Sequence, residues 1–569
     1  MISKPSCQIV INVLAEQGVT DAVVSPGSRN APLLLALDDE QRIAKHVVID
    51  ERSAAFIALG IAQVSCRPVI LCCTSGTALL NYAPAIAEAY YQNIPLIVLS
   101  ADRPAEWIDQ DDSQTLRQFE ALRNYVKDSF DLPDFSIDSE DMCWFANRTA
   151  NDAYLSCICG RPGPVHINMH FSRPLTSTHS AVSAQRVVVS TETSSVLSPR
   201  LMKQLAEEAA SKKVLIVAGQ YRPSNRINRA IAILSNLPNV AIWTETIANI
   251  HVSNIVNCID RTLTCIDTKD ESYEPDLVIS FGGALVSRKA KEFLRCRTKC
   301  SHWAIGHRRD RLADPFKHLT RVIETSPEVF LPHFANALCR CHPTGNYSTI
   351  WNEAGLRAAT RHAVAAETAP WSALRAFHVI LSNVPSRMNL QLSNGTPIRY
   401  AQLFDCRHIH ACYCNRGVSG IDGSTSTAVG ASIAYSQPTL LITGDMSFAY
   451  DIGALATSFI SSDLKIIVIN NSGGEIFRFI PSTSSLPARE RYFSVAPILP
   501  LRQLAGAYGF EYYYVSNERT LRNALPQFLL PGLSPSLMEI EVPADMSART
   551  LSDYFKQLNI NDIWKTGLK

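Results

Sequence analysis

Short apolar runs alternate with amphipathic stretches along most of the chain. Residues 21–24 precede SPGSRN and then APLLLAL; residues 46–49 precede DERSAAFIALGIAQ; residues 69–73 precede TSGTALLNYAPAIAEAYY; residues 95–99 precede SADRP. The rhythm returns at 214–218, 240–243 and 277–280, the last running into FGG. It returns again at 439–442 before GDMSF and at 465–469 before NNSGG. Strands alternating with helical patterns predict an α/β protein of doubly wound parallel sheets, each covered on both faces.

Two stretches break the rhythm and read as linkers. Residues 176–200 are rich in Ser and Thr with one short Val run, and residues 341–370 are polar at first and then Ala-rich. They predict three domains, at 1–180, 197–345 and 370–569, each of ordinary domain size. A chain of 569 residues is expected to split in this way rather than grow one core. No short-period repeat or low-complexity tract stands out.

Composition removes several function classes. Hydrophobic residues make up 46% and charged residues 18%, which argues against disorder over most of the length. Lys plus Arg is 53 against 52 for Asp plus Glu, so no global basic footprint marks a nucleic-acid partner. No apolar stretch reaches the ~18–20 residues of a membrane span. The start, MISKPSCQIV, lacks the apolar region of a signal peptide, so a cytoplasmic location is expected. The 16 cysteines are scattered through apolar runs and read as buried, reduced thiols.

In open α/β sheets, ligands bind outside the carboxyl ends of the strands. Ser25-Pro-Gly-Ser-Arg29, Asp50-Glu-Arg52, Thr74-Ser-Gly-Thr77 and Ala101-Asp-Arg-Pro104 all follow apolar runs. Each alone fits ordinary capping: Ser28 as an N-cap, Glu51 as a complement to a helix dipole. Four on one predicted rim point to a site. In the third part, Gly444-Asp445 and Asn470-Asn471 end successive strands on one rim. A carboxylate, an amide oxygen and a nearby carbonyl offer hard oxygen ligands for Mg²⁺. Gly473 and Gly474 would let the backbone approach a phosphate closely.

The GD…NN form spanning Asp445 to Asn471 resembles the diphosphate and metal motif of thiamine-diphosphate enzymes. Glu51 fits the strand-end glutamate of that superfamily. SPGSRNAPL, DERSAAFIALG, CTSGTA, LSADRP, NRGVSGIDGSTSTA, GDMSFAYD and NNSGGEIF resemble more closely the 2-succinyl-5-enolpyruvyl-6-hydroxy-3-cyclohexene-1-carboxylate (SEPHCHC) synthase family of menaquinone biosynthesis. These motifs span the first and third parts almost end to end. The middle part resembles the family mainly through FGGALVSRKAKEFLR.

The resemblance implies pyrimidine-binding, central and diphosphate-binding domains, in that order. It implies thiamine diphosphate with Mg²⁺, for which Mn²⁺ can substitute. The implied reaction is decarboxylation of 2-oxoglutarate and 1,4-addition of the resulting succinyl-semialdehyde carbanion to isochorismate. Active sites would lie between the first domain of one subunit and the third of another, in a homodimer or homotetramer. Glu51 would hydrogen-bond the aminopyrimidine N1′, with Thr74 and Gly444 also at the cofactor. Asp445, Asn471 and the Gly473 carbonyl would hold the metal. Ile421 would be the apolar wedge under the cofactor and Phe477 a wall, although both also fit ordinary core positions. Both substrates are dicarboxylates, which need forked cations. Arg29, Arg103, Arg399, Arg416, Arg288 and Lys289 would supply charge; Ser28 and Gln114 would add neutral hydrogen bonds. Glu51, Arg29, Arg399 and Arg416 would be catalytic.

The chain departs from the family pattern twice. Gly395 stands where a serine is common, and Arg288-Lys289 reverses a common Lys-Arg order. A decoy also appears: Cys406, His408, His410, Cys412 and Cys414 suggest a metal cluster. On a strand they would share one face, but two-residue steps advance about 6.6 Å, so five side chains in a row cannot converge on one ion. A one-sided strand face is the expected reading. The rivals are another thiamine-diphosphate 2-oxo-acid decarboxylase or carboligase, and a non-catalytic homologue that keeps the fold. A nicotinamide dehydrogenase is disfavoured because no G-x-G-x-x-G follows a predicted strand.

Overall fold

The computed structural model describes residues 4–176, 185–191, 193, 195–306 and 312–559. Residues 177–184, 192 and 194 of the first predicted linker lie outside the described residues. So do the outermost residues 1–3 and 560–569 of the predicted end domains, the first three being part of the start read as leaderless.

Three parallel sheets organise the chain. The first contains β1 (Asp21–Val24), β2 (Ala44–Val47), β3 (Val69–Cys73), β4 (Leu96–Asp102), β5 (Ser129–Leu132) and β6 (Val165–His170), in the order β2-β1-β3-β4-β6-β5. The second contains β7 (Val214–Ala218), β8 (Val240–Thr244), β9 (Leu277–Phe281), β10 (Ser301–Ile305) and β11 (Leu319–Ile323), ordered β11-β10-β9-β7-β8. The third contains β12 (Asn389–Leu392), β13 (Ala411–Cys414), β14 (Thr439–Gly444), β15 (Leu464–Asn470), β16 (Glu511–Val515) and β17 (Ser536–Glu541), ordered β13-β12-β14-β15-β17-β16. The first and third sheets therefore share one topology, strand for strand. Central strands such as β3, β4 and β7 are buried throughout, as expected where helices cover both faces.

The predicted strands are present, with shifted ends. β4 runs on to Asp102, so Ala101 and Asp102 lie inside the strand rather than after it. The polar residue is tolerated because β6 pairs with it and Asn168 donates to its carboxylate at 3.0 Å. At the sheet edge, β2 stops at Val47 and leaves Ile49 74% exposed.

The second predicted linker is largely a helix, Tyr347–Glu367. Its Tyr347, Trp351, Ala354 and Ala358 are buried at helical spacing, and Trp351 packs edge-on against Trp243 of the central sheet. Ala365 and Ala366 enter the core of the third sheet, so the segment joins two domains by packing. Part of the first linker is also fastened. Asn147 and Asn151 donate to the Arg186 carbonyl, and Val188 N–H donates to Asn151 Oδ1 at 2.7 Å.

The cysteine expectation holds for ten of the described thiols; Cys66, Cys159 and Cys296 are exposed instead. No helix among the described residues is long and apolar enough to cross a membrane.

One core spans the first and third sheets. Phe56, Ile57 and Leu59 of the helix Glu51–Ser65 pack with Ala428 and Val429 of the helix Ser424–Ala434 and with Phe448. This crossing fixes the Glu51 helix against the segment that follows Ile421.

Candidate active site

Glu51 opens a helix that Asp50 caps: Asp50 Oδ1 accepts from Arg52 N–H at 2.9 Å and from Ser53 N–H at 3.3 Å. The cap leaves the Glu51 side chain free at the strand end. Its half-buried carboxylate takes no hydrogen bond from any described residue, and its charge reaches the buried Cys73 and Tyr82. Beside it, Thr74 Oγ1 accepts from Arg29 N–H at 3.3 Å, and Gly27 is pressed against the Thr74 side chain.

Arg29 is nearly buried and donates through Nη1 to the Phe171 carbonyl at 2.9 Å. Burial lowers its pKa, and the neighbouring Arg103 and Arg173 cations push the same way. Arg103 pairs with Asp112 and donates to the Ser113 carbonyl at 2.8 Å. Ser28 and Gln114 are exposed on this rim, and the Gln114 backbone lies against the turn at Gly76.

A polar network under the rim holds these loops. Gln118 accepts from Gly76 N–H at 2.7 Å and donates to the Ala101 carbonyl and to Asn168 Oδ1. Asn168 bridges Asp102 and Asp131; His170 bonds Asp131 and the Arg103 carbonyl. Burial works against the His170 imidazolium, but Asp131 and that carbonyl outweigh it and hold its pKa up at about 9. Burial pushes His166, which is bonded to Ser100, down to about 4.

On the third sheet, Gly444 ends β14 and Asp445 opens the next helix. Asp445 accepts from Met446 N–H at 2.7 Å and Gly473 N–H at 2.8 Å. Burial raises its pKa and these backbone bonds oppose the rise. Asn471 Nδ2 donates to Glu475 Oε2 at 2.8 Å, while Asn471 Oδ1 is buried with no hydrogen-bond partner. Gly473 has a φ of +127°, and a Cβ there would lie 2.6 Å from the Ser494 carbonyl. An orphaned amide oxygen beside a buried carboxylate and a glycine-only turn fits a hard cation and a diphosphate. Ile421 is half-buried, its carbonyl accepting from Ser447 Oγ at 2.6 Å. Phe477 packs on Phe493, with ring centroids 5.5 Å apart.

A second cluster of cations adjoins this rim. Arg416 is 8% exposed, donates to Asn394 Oδ1 at 2.9 Å, and keeps Nε buried without a partner. Arg399 opposes Arg416 electrostatically and folds back on the Gly395 carbonyl. Gly395 has a φ of +95°, a left-handed position that a serine would strain. Glu88, buried on the helix Ala83–Gln92, accepts from Gly417 and Val418 N–H at 2.6 Å each, so the first domain clamps the loop after Arg416.

Of the central basic pair, Lys289 donates to Thr264 Oγ1 at 2.6 Å and lies over the Phe555 ring. Arg288 pairs with Glu292 on an exposed face. On the helix Arg288–Arg295 that carries this pair, Lys291 lies in the field of Glu245, Arg416 and Arg399.

The contacts therefore assemble two groups: Glu51, Thr74, Ser28, Arg29, Arg103 and Gln114 on one rim, and Asp445, Asn471, Gly473, Ile421, Phe477, Arg399 and Arg416 on the other. Among the described residues, no hydrogen bond or ion pair joins a member of one group to a member of the other. Glu475, Glu88, Gln118, Asn394 and Lys291 escape the sequence reading, although Glu475 lies inside NNSGGEIF and Lys291 inside FGGALVSRKAKEFLR. In the decoy segment the strand is only Ala411–Cys414, and Cys406, Cys412 and Cys414 are buried while His408 and His410 are exposed. The five side chains thus do not share one strand face, because the chain turns at 405–410 before β13 begins.

Two family models match: the thiamine pyrophosphate enzyme N-terminal TPP binding domain at residues 7–121, and the C-terminal TPP binding domain at residues 395–540. The solved structure of benzoylformate decarboxylase from Polynucleobacter necessarius shares the fold, with a TM-score of 0.71 over 96% of this chain and 99% of that one, at 16% identity. The SEPHCHC synthase of Porphyromonas gingivalis is 40% identical over 98% of this chain and 97% of its own length. That of Flavobacterium psychrophilum is 36% identical over 97% and 99%, and that of Bacteroides fragilis 35% over 96% and 98%. A likeness of this degree over the whole length makes the chain a member of the SEPHCHC synthase family of thiamine pyrophosphate enzymes.

Proposed function

We propose that the protein decarboxylates 2-oxoglutarate and adds the remaining four-carbon unit to isochorismate by 1,4-addition, giving SEPHCHC for menaquinone biosynthesis. The observation that carries the reading is the orphaned Asn471 Oδ1 beside Asp445, with the buried Arg416 and the exposed Arg399 near the same rim. A cation-and-diphosphate cradle next to paired arginines suits a thiamine-dependent reaction of dicarboxylates. Thiamine diphosphate, when bound, supplies the carbanion-stabilising chemistry.

The chain's own residues have separate tasks. Asp445, Asn471 Oδ1 and the Gly473 carbonyl would hold Mg²⁺, or Mn²⁺ in its place. Glu51 would hold a proton at the aminopyrimidine N1′, its carboxylate being free of other bonds. Thr74 and Gly444 would border the cofactor, Ile421 would support it and Phe477 would wall it. Arg399 and Arg416 on one rim and Arg29 and Arg103 on the other would grip substrate carboxylates, with Ser28, Gln114 and Lys289 alongside.

The two rims would meet across a subunit interface in a homodimer or homotetramer. The exposed apolar side chains of Val47 and Ile49 beside Glu51, and of Val418 beside Arg416, support this reading. The three sheets would be pyrimidine-binding, central and diphosphate-binding domains at 1–180, 197–345 and 370–569, in a cytoplasmic enzyme.

An omission assay tests the proposal. Purified protein is mixed with thiamine diphosphate, Mg²⁺, 2-oxoglutarate and isochorismate, and isochorismate loss and product mass are followed with each component left out in turn. Consumption should require all four. Release of CO₂ with isochorismate untouched would make the acceptor wrong.

A further inference from the structure

We infer that Glu475 is a positioning residue, which turns the Asn471 amide so that its oxygen faces the cofactor cradle. The inference rests on the metal-site reading above and assigns a role to a side chain outside it.

Glu475 opens a short 3₁₀ turn, Glu475–Arg478, and is 2% exposed. Its two oxygens are taken separately. Tyr400 Oη donates to Oε1 at 2.9 Å, and Asn471 Nδ2 donates to Oε2 at 2.8 Å. Tyr400 is itself buried and follows Arg399 on the helix Thr396–Ala401. The chain thus buries a carboxylate between a phenol and an amide, with no Lys or Arg among the described residues in an ion pair with it.

The consequence lies at the other end of the amide. Both Glu475 oxygens act as acceptors, Oε1 from the Tyr400 hydroxyl and Oε2 from Asn471, so the Asn471 end facing it is the NH₂. The oxygen is then forced to the opposite side, where it is buried and without a partner. Asp445 is close by, accepting from the Gly473 N–H at Oδ2 and from the Asn471 backbone. Without Glu475 the amide could turn over and aim two N–H donors at a cation, which repels it. Groups that orient a metal ligand from behind typically change metal affinity by about 10–100-fold when removed. The bond from Tyr400 also ties the turn to the helix bearing Arg399, so cofactor cradle and substrate cation are set together.

The test is a Mn²⁺ titration of the full chain with thiamine diphosphate present, free Mn²⁺ being read by electron paramagnetic resonance. Glu475→Ala should weaken Mn²⁺ about tenfold. Glu475→Gln should stay within about threefold of the parent, because its oxygen still accepts from Asn471 and its NH₂ can donate to Tyr400. In an Asn471→Ala background, Glu475→Ala should cost nothing more. Circular dichroism and melting without metal check the fold. If Glu475→Ala does not fold, Glu475→Met fills the space without an acceptor and should show the same tenfold loss. Unchanged affinity in the Ala or Met variant overturns the inference. A Gln variant as weak as Ala also overturns it, since charge rather than orientation would then matter. Failure of the parent protein to bind Mn²⁺ at all would instead refute the metal-site reading beneath it.

Discussion

Gly60 and Gly430 sit on the two sides of one helix crossing, and neither leaves room for a β-carbon. A Cβ on Gly60 would lie 2.1 Å from the Thr427 carbonyl oxygen, and one on Gly430 would lie 1.9 Å from that of Ile57. Both obstacles are backbone, so no rotamer change relieves them. This crossing holds the Glu51 helix against the helix after Ile421. Overpacking in cores typically costs 1–3 kcal/mol. We expect Gly430→Ala to lose about 3 kcal/mol or more by urea unfolding. Gly506→Ala is the control: nothing lies within 4 Å of its Cβ, and it should gain up to about 1 kcal/mol from helix propensity.

Glu51→Gln separates chemistry from fold. The Glu51 carboxylate bonds to no described residue, so the melting temperature should hardly move. Turnover should fall at least about a hundredfold, the scale of a lost acid–base role. Thermal melts and steady-state rates on the same preparation check both halves. Normal turnover would remove Glu51 from the mechanism.

Glu88→Gln tests the clamp on the Arg416 loop. Glu88 accepts from Gly417 N–H, Val418 N–H and Gln92 Nε2, each at 2.6 Å. A glutamine must turn its NH₂ toward at least one of these donors, which leaves a buried mismatch worth about 1–3 kcal/mol. Arg416 is carried by this loop. The expected result is a several-fold higher KM for 2-oxoglutarate with a smaller change in kcat. An unchanged KM would mean that the clamp does not position Arg416.

Much of this was legible in the sequence because periodicity reports burial. The runs at 69–73 and 214–218 are strands end to end, since parallel strands buried on both faces read as continuous apolar stretches. The Asp445 and Asn471 motifs were legible because each ends such a run. Contacts between distant segments were not. Gln118 meets Gly76 only once the first domain has folded, and Glu88 meets Gly417 only once the first and third domains have packed. The helix Tyr347–Glu367 was hidden by its small alanines, which look like linker composition until Trp351 finds Trp243. The shared topology of the first and third sheets was also hidden, because strand order lies in tertiary pairing rather than in any repeated string.

The last expectation concerns pH. His170 bonds Asp131 at 2.9 Å and the Arg103 carbonyl, and its folded pKa stands at about 9 against about 6.5 for an unperturbed imidazole. Burial opposes this rise, so the bonds must outweigh desolvation. Below pH 6.5 the imidazole is protonated in both folded and unfolded chains, and its contribution to stability is complete. Between 6.5 and 9 the unfolded chain has released the proton while the folded chain keeps it, so the contribution shrinks as pH rises. Above 9 both forms are neutral and the contribution is gone. Asp131 titrates well below this window, since His170 and Asn168 hold its pKa down against burial. Unfolding free energies of the parent and of His170→Asn, measured from pH 6 to 10, should therefore differ most at pH 6 and converge above 9. Taking the difference cancels every other titrating group. A gap that stayed flat or widened with pH would mean that His170 is neutral in the folded protein, and that the Arg103 loop is held without its charge.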